Sequence, residues 1–230
     1  MATASPSAAS SPRFTPDVRI QRNPLARIER RVLIWIARRL PAWIHPDHLT
    51  LLALVAMAGV GAGYWLAHAS AWGLLIASAG LMVNWFGDSL DGTVARVRDC
   101  QRPRYGYYVD HVLDVVGVTW LFGGLMLSGL IHPGIAVAAL VTYLLVSIEV
   151  YLATHSLGEF HMSAFGIGPT ELRLLLIGGN TVLFLRPTRD VAGTGLTPFD
   201  IAGLIATAAL ALVFVTSVVR HTRRLHRAGQ

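Results

Sequence analysis

Residues 49–67 form a run of nineteen without a charged side chain, and residues 201–219 form a second of the same length. A helix of about twenty apolar residues crosses the roughly 30 Å hydrocarbon core of a bilayer. Only helices and closed barrels can carry backbone N–H and C=O groups through that medium. These two runs therefore commit the chain to the membrane, and the composition agrees, with 53% hydrophobic and 14% charged residues and positive mean hydropathy.

Four further apolar stretches, 71–94, 106–130, 133–153 and 169–185, are separated by turn signals such as His132-Pro133-Gly134 and Gly166-Ile167-Gly168-Pro169. The expected fold class is thus an all-α integral membrane protein with six transmembrane helices across 47–220. Arginine placement provides a separate test. All 19 basic residues are arginine, and with six spans seventeen of them fall on one side, leaving Arg186 and Arg189 opposite. By the positive-inside rule both termini are cytoplasmic, as is the loop between the second and third spans. We expect the bacterial inner (cytoplasmic) membrane.

Before the first span, 24–41 places Leu25, Ile28, Val32, Ile36 and Leu40 on one helical face and Arg27, Arg30, Arg31 and Arg38 opposite. This predicts an amphipathic interfacial helix, although Glu29 and Arg39 break the pattern. Residues 1–23 read as a disordered tail without a signal peptide, and 221–230 as a basic tail. The net charge of +6 comes from arginines at the ends of apolar segments, a pattern of membrane topology and not of nucleic-acid binding. The one cysteine, Cys100, excludes an internal disulfide.

Against this background stand Asp88, Asp91, Asp110 and Asp114. Spacings of three and four put each pair on one side of its helix. The first pair ends the second span and the second begins the third, so antiparallel neighbours bring all four carboxylates to one depth near the cytoplasmic face. Like charges so placed must protonate or hold a cation. Oxygen-only donors select a hard divalent ion, and four carboxylates exceed what one magnesium takes, so two cations are expected, Mg2+ first and Mn2+ second. Paired ions of this kind serve phosphoryl transfer. Gly92 and Ala95 leave the helix surface open for close approach, and Arg96 offers a fork for phosphate.

The pattern Asp88-x-x-Asp91-Gly92-x-x-Ala95-Arg96, then Gly106-x-x-x-Asp110-x-x-x-Asp114, resembles the signature of the CDP-alcohol phosphotransferase (CDP-alcohol phosphatidyltransferase) family, with all eight diagnostic residues present. Nine residues separate Arg96 from Gly106, one more than we expect of the family. Pro46-Asp47-His48-Leu49-Thr50 is similar to the Pro-Asn-x-Leu-Thr segment at the start of the first span in many members. The resemblance implies transfer of a substituted phosphate from a CDP-alcohol donor to an alcohol acceptor with release of CMP. By position it implies Asp88, Asp91, Asp110 and Asp114 as metal ligands, with Asp114 also the catalytic base, and Gly92, Ala95 and Arg96 as CDP-binding. CDP-diacylglycerol with a polar alcohol is the expected pair, and a CDP-linked choline or ethanolamine headgroup passed to diacylglycerol is the alternative. Membrane lipids are further partners, and a homodimer is expected of the family.

Arg102, Arg104, Gly106, Glu171 and Arg173 are candidate acceptor or phosphate contacts, each with a structural counter-reading: loop charge for the arginines, or a pair between Arg173 and Glu171 or Glu149. Asn84, one turn before Asp88, either orients a carboxylate or bonds between helices. His111 echoes the Asp-His-x-x-Asp form of choline and ethanolamine phosphotransferases. A cation transporter would also bury carboxylates, but it would spread them along the bilayer depth instead of gathering them at one end.

Overall fold

The computed structural model describes residues 24–157, 169–187, 191 and 193–228, and the regular structure among them is entirely helical. The helices are α1 (Pro24–Ala37), α2 (Pro46–Leu66), α3 (Trp72–Val97), α4 (Pro103–Ser128), α5 (Pro133–Leu157), α6 (Pro169–Leu185) and α7 (Pro198–Ala228). The tail 1–23 lies outside the described residues. All the helices except α3 begin on proline, whose missing N–H costs nothing at the first helical position and whose fixed φ suits it. Helices α2, α4, α5 and α7 are long and apolar enough to cross a membrane.

The centre of the bundle is the contact of α2 with α3. Along α3, Gly73, Gly80 and Gly87 recur every seven residues. A Cβ on Gly73 would lie 2.4 Å from the Gly63 carbonyl oxygen, and one on Gly87 would lie 2.6 Å from that of Leu49. The two backbones therefore touch along the whole of α2, which is how helices associate in lipid, where the hydrophobic effect does not drive them together. Asn84 sits in this seam and its Nδ2 donates to the Ala53 carbonyl at 3.1 Å, so of its two expected roles it takes the one between helices. Helix α4 flanks α2 on another side, again through glycine, with Gly61 against Gly124 and Trp120.

Helix α6 docks on α3 through a buried polar node. Asn180 donates to Ser78 Oγ at 3.1 Å and accepts from the Tyr64 hydroxyl at 3.2 Å. In a medium without water these bonds have few competitors, so they fix the register of α6. Helix α7 packs on α5, with His221 Nδ1 2.6 Å from Glu149 Oε1. Its start is fixed by Asp200, which accepts from the His132 and Thr197 backbone N–H groups, at 2.6 and 2.9 Å. Residues 221–228, expected as a separate basic tail, continue α7 as helix.

Helix α1 packs on α3, but on a stripe one position away from the expected face. Leu33 and Ala37 are buried against Leu49, Leu90 and Val94, while Val32 and Trp35 are exposed. Glu29 lies on that same i, i+4, i+8 stripe and accepts from Trp85 Nε1 at 3.0 Å. Its place on the wrong face of an isolated surface helix is thus a correct place on a helix docked against protein. The side chains of residues 24–28 lie outside the described residues. Exposed tryptophans mark both ends of α2, Trp35 and Trp43 before it, Trp65 in its last turn and Trp72 just beyond it. At 1.5 Å per residue the 21 residues between these belts span about 30 Å.

Candidate metal and substrate site

The site is built by the α3–α4 hairpin. Helix α3 ends in a Schellman turn, with Cys100 N donating to the Ala95 carbonyl at 3.0 Å and Asp99 in the left-handed region at φ 53°. Five residues later α4 is under way, started by Pro103. Helices α3 and α4 each pack mainly along α2, and their carboxylates meet at the hairpin end.

At the hairpin end Asp88 from α3 comes together with Asp110 and Asp114 from α4. One carboxylate oxygen from each lies within 4.8 Å of the other two, and all three residues are half-buried. Arg173 of α6 reaches the same point, its Nη2 2.7 Å from Asp88 Oδ2. One guanidinium against three carboxylates leaves an excess of negative charge at partial burial. An all-oxygen donor set of this size, without sulfur or imidazole, fits a hard divalent cation.

The fourth aspartate is held differently. Asp91 accepts from Thr50 Oγ1 at 2.8 Å and from the Gly92 N–H at 2.5 Å, so its carboxylate is turned toward the start of α2, outside the three-oxygen group. It still feels the charges of Asp88 and Asp110. Thr50 appeared in the sequence reading only as part of the segment leading into the first span. Its role as a donor to Asp91 depends on a contact 41 residues away.

Gly92 meets Arg96 as its spacing suggests. A Cβ on Gly92 would lie 3.2 Å from Arg96 Nη1, so the missing side chain is what lets the guanidinium fold across this turn, where Nη2 also donates to Thr93 Oγ1 at 3.2 Å. Gly106 faces open space. Arg102 binds Asp47 at 2.5 Å and stacks over Tyr105 at 4.2 Å, at the exposed rim and apart from the carboxylate group. Arg104 is exposed. The Glu171 side chain lies outside the described residues. Glu149 pairs with His221, and Arg173 with Asp88, so the expected pair between Glu149 and Arg173 does not form.

One residue with no signal in the sequence also belongs here. Arg98, just past α3, donates to the carbonyls of Leu40, Pro41 and Ile44 at 2.8, 3.1 and 2.6 Å. It thereby ties the turn between α1 and α2 to the hairpin. His111 is buried between Tyr107 and Tyr151, at ring distances of 4.1 and 4.9 Å, with Nδ1 2.6 Å from the Tyr107 carbonyl oxygen.

A family model described as CDP-alcohol phosphatidyltransferase matches residues 43–219. Among solved structures, Mycobacterium tuberculosis phosphatidylinositol phosphate synthase with CDP-DAG bound is 24% identical, with a TM-score of 0.56 over 85% of this chain and 92% of that one. The same enzyme in complex with manganese and citrate is 23% identical, with a TM-score of 0.57 over 84% and 87%. At such identities the likeness carries the fold. Among curated proteins no significant match was found.

Proposed function

The chain belongs to the CDP-alcohol phosphatidyltransferase family, and from that membership we propose CDP-diacylglycerol as the donor and a polar alcohol as the acceptor. The family assignment makes it a membrane transferase of phospholipid synthesis that moves a phosphatidyl group from a CDP-alcohol. Donor identity is supported by the CDP-DAG held by the mycobacterial relative. The observation that carries the mechanism is the meeting of Asp88, Asp110 and Asp114 from two helices within 4.8 Å.

In this reading those three carboxylates, with Asp91 held in orientation beside them by Thr50, hold two divalent cations, Mg2+ with Mn2+ as substitute. Manganese in the relative's second structure supports a divalent site. When bound, such ions supply Lewis-acid charge to the diphosphate. Asp114 takes the proton of the acceptor hydroxyl, whose oxygen attacks the phosphatidyl phosphorus as the bond to CMP breaks. Arg96, laid across Gly92 and close to Ala95, faces the departing diphosphate. Arg173 is already paired with Asp88 among the carboxylates and stands where an acceptor's phosphate would meet it, with Arg102 and Arg104 at the rim beside Gly106 and Glu171 two residues earlier on α6.

The arginine distribution supports a reading with six spans, α2 to α7, and with both termini and the site on the cytoplasmic face; a bacterial inner membrane is proposed with it, and a homodimer from the family alone. The headgroup-transferring alternative would use the same aspartates, and His111 adds little to it, since packing between Tyr107 and Tyr151 accounts for that residue without a substrate. The test is CMP release by the purified protein with magnesium and radiolabelled CDP-diacylglycerol across a panel of alcohols, with CDP-choline and diacylglycerol as the contrasting pair. Release with some alcohol and none from Asp114→Asn is expected. Full activity of Asp114→Asn, or release only from CDP-choline, refutes the reading.

A further inference from the structure

Beyond Val219 the sequence continues Arg220-His221-Thr222-Arg223-Arg224-Leu225-His226-Arg227, and α7 carries all of it as helix. At about 100° per residue, Arg220, Arg223 and Arg227 fall within an arc of roughly 60°, directly above Thr216 on the same stripe. With Arg224 beside them and Val215 and Val219 below, these arginines line an open groove of ≈ 630 Å³ along the surface of α7 itself. The floor continues into the apolar part of α7, where Leu212, Val215 and Val219 are all exposed. Among the described residues nothing bonds the guanidinium groups of Arg220, Arg223 and Arg227, and the nearby Glu149 is taken by His221.

Setting topology requires positive charge on one side of the membrane but not on one face of a helix. Here the charges are aligned, and they stand one to three turns past the end of a lipid-facing surface, at the depth of headgroups. Guanidinium forks match phosphate oxygens two at a time, and an apolar floor beneath them matches acyl chains. A soluble anion would use the first feature and leave the second without purpose. We propose that this groove binds one anionic phospholipid, with its phosphate among Arg220, Arg223 and Arg227 and its chains along Leu212, Val215 and Val219. The site is on α7, which packs on α5 and not on the helices that carry the aspartates, so it is separate from the donor and acceptor positions.

The test uses the full-length protein in phosphatidylcholine nanodiscs carrying trace spin-labelled phosphatidylglycerol or spin-labelled phosphatidylcholine, with the motionally restricted fraction read by electron paramagnetic resonance. The wild type should prefer the anionic label by about tenfold. R220Q/R223Q/R227Q should fall to near parity, and the corresponding triple lysine variant should keep much of the preference. Should the triple glutamine variant fail to fold, R223Q and R223E are read the same way, the second falling further. Equal preference in wild type and glutamine variants overturns the proposal. So does loss of the preference on adding millimolar inorganic phosphate but not chloride of equal ionic strength, which would make the groove a soluble-phosphate site.

Discussion

The guanidinium of Arg173 on α6 stands 2.7 Å from a carboxylate oxygen of Asp88 on α3, with both side chains largely shielded from solvent. It puts a positive charge in direct contact with the carboxylate cluster, so it helps to hold that cluster together until metal arrives. Its removal should cost most without metal and least with it. We predict that Arg173→Gln lowers stability by about 1–3 kcal/mol in chelator. Added magnesium should raise its melting temperature by more than it raises that of the wild type, since the variant cluster attracts a cation more strongly. Thermal unfolding in detergent, with EDTA and then with excess magnesium, measures both. An equal magnesium increment in the two proteins would show that Arg173 and the metal do not share the carboxylates.

Thr50 donates to Asp91 at 2.8 Å, and this is the bond that keeps Asp91 facing α2. Thr50→Val preserves shape and removes the donor, leaving a partly buried carboxylate short of one partner at a cost of about 1–2 kcal/mol. Thr50→Ser keeps the hydroxyl and should behave as wild type in CMP release, while Thr50→Val should turn over at least several-fold more slowly. Identical rates for the two would mean that the orientation of Asp91 is set elsewhere.

The aspartate constellation was readable in the sequence because helical spacing puts Asp88 with Asp91, and Asp110 with Asp114, on shared faces, and a short loop brings the pairs together. What could not be read were contacts between elements far apart in the chain. Arg173 is 85 residues from Asp88, and Thr50 is 41 from Asp91. Glu29 seemed misplaced only because the periodicity of α1 says which residues share a face and not whether lipid or α3 covers it. The short loop made α3 and α4 antiparallel neighbours, but it could not show that both pack mainly on α2, whose glycine-lined faces accept them. Likewise, the charges of 221–228 suggested a tail, although nothing in them ends a helix, and α7 runs on.

Arg98 lies outside every spacing pattern, yet it donates to the carbonyls of Leu40, Pro41 and Ile44 in the turn joining α1 to α2. The Pro41 carbonyl also accepts from the Ile44 N–H at 3.1 Å, so it is the Leu40 and Ile44 carbonyls, outside any helix ladder, that lose the guanidinium's bonds. Arg98→Ala should lower stability by about 2–3 kcal/mol. Arg98→Lys should recover little, because one ammonium cannot reach carbonyls on several sides of a turn. Limited proteolysis should then cut within 38–45 well before the wild type is cut there. A lysine variant as resistant as the wild type would contradict the forked arrangement.

The last prediction contrasts two glycines on one helix. A Cβ on Gly61 would lie 2.5 Å from the Trp120 carbonyl oxygen, a backbone atom that cannot rotate away, whereas a Cβ on Gly59 would meet nothing within 4 Å. Gly61→Ala must push α4 off α2, and overpacking of this kind costs about 1–3 kcal/mol or more. Gly59→Ala adds a better helix former in open space and should stabilise by up to about 1 kcal/mol. Because α2 also supplies Thr50 and α4 supplies Asp110 and Asp114, the shift at Gly61 should reach the site. CMP release should therefore fall in Gly61→Ala even where the protein stays folded, while Gly59→Ala retains it. Melting temperatures that move in the same direction for both variants would mean that helix propensity, and not the close approach of α2 and α4, governs this face.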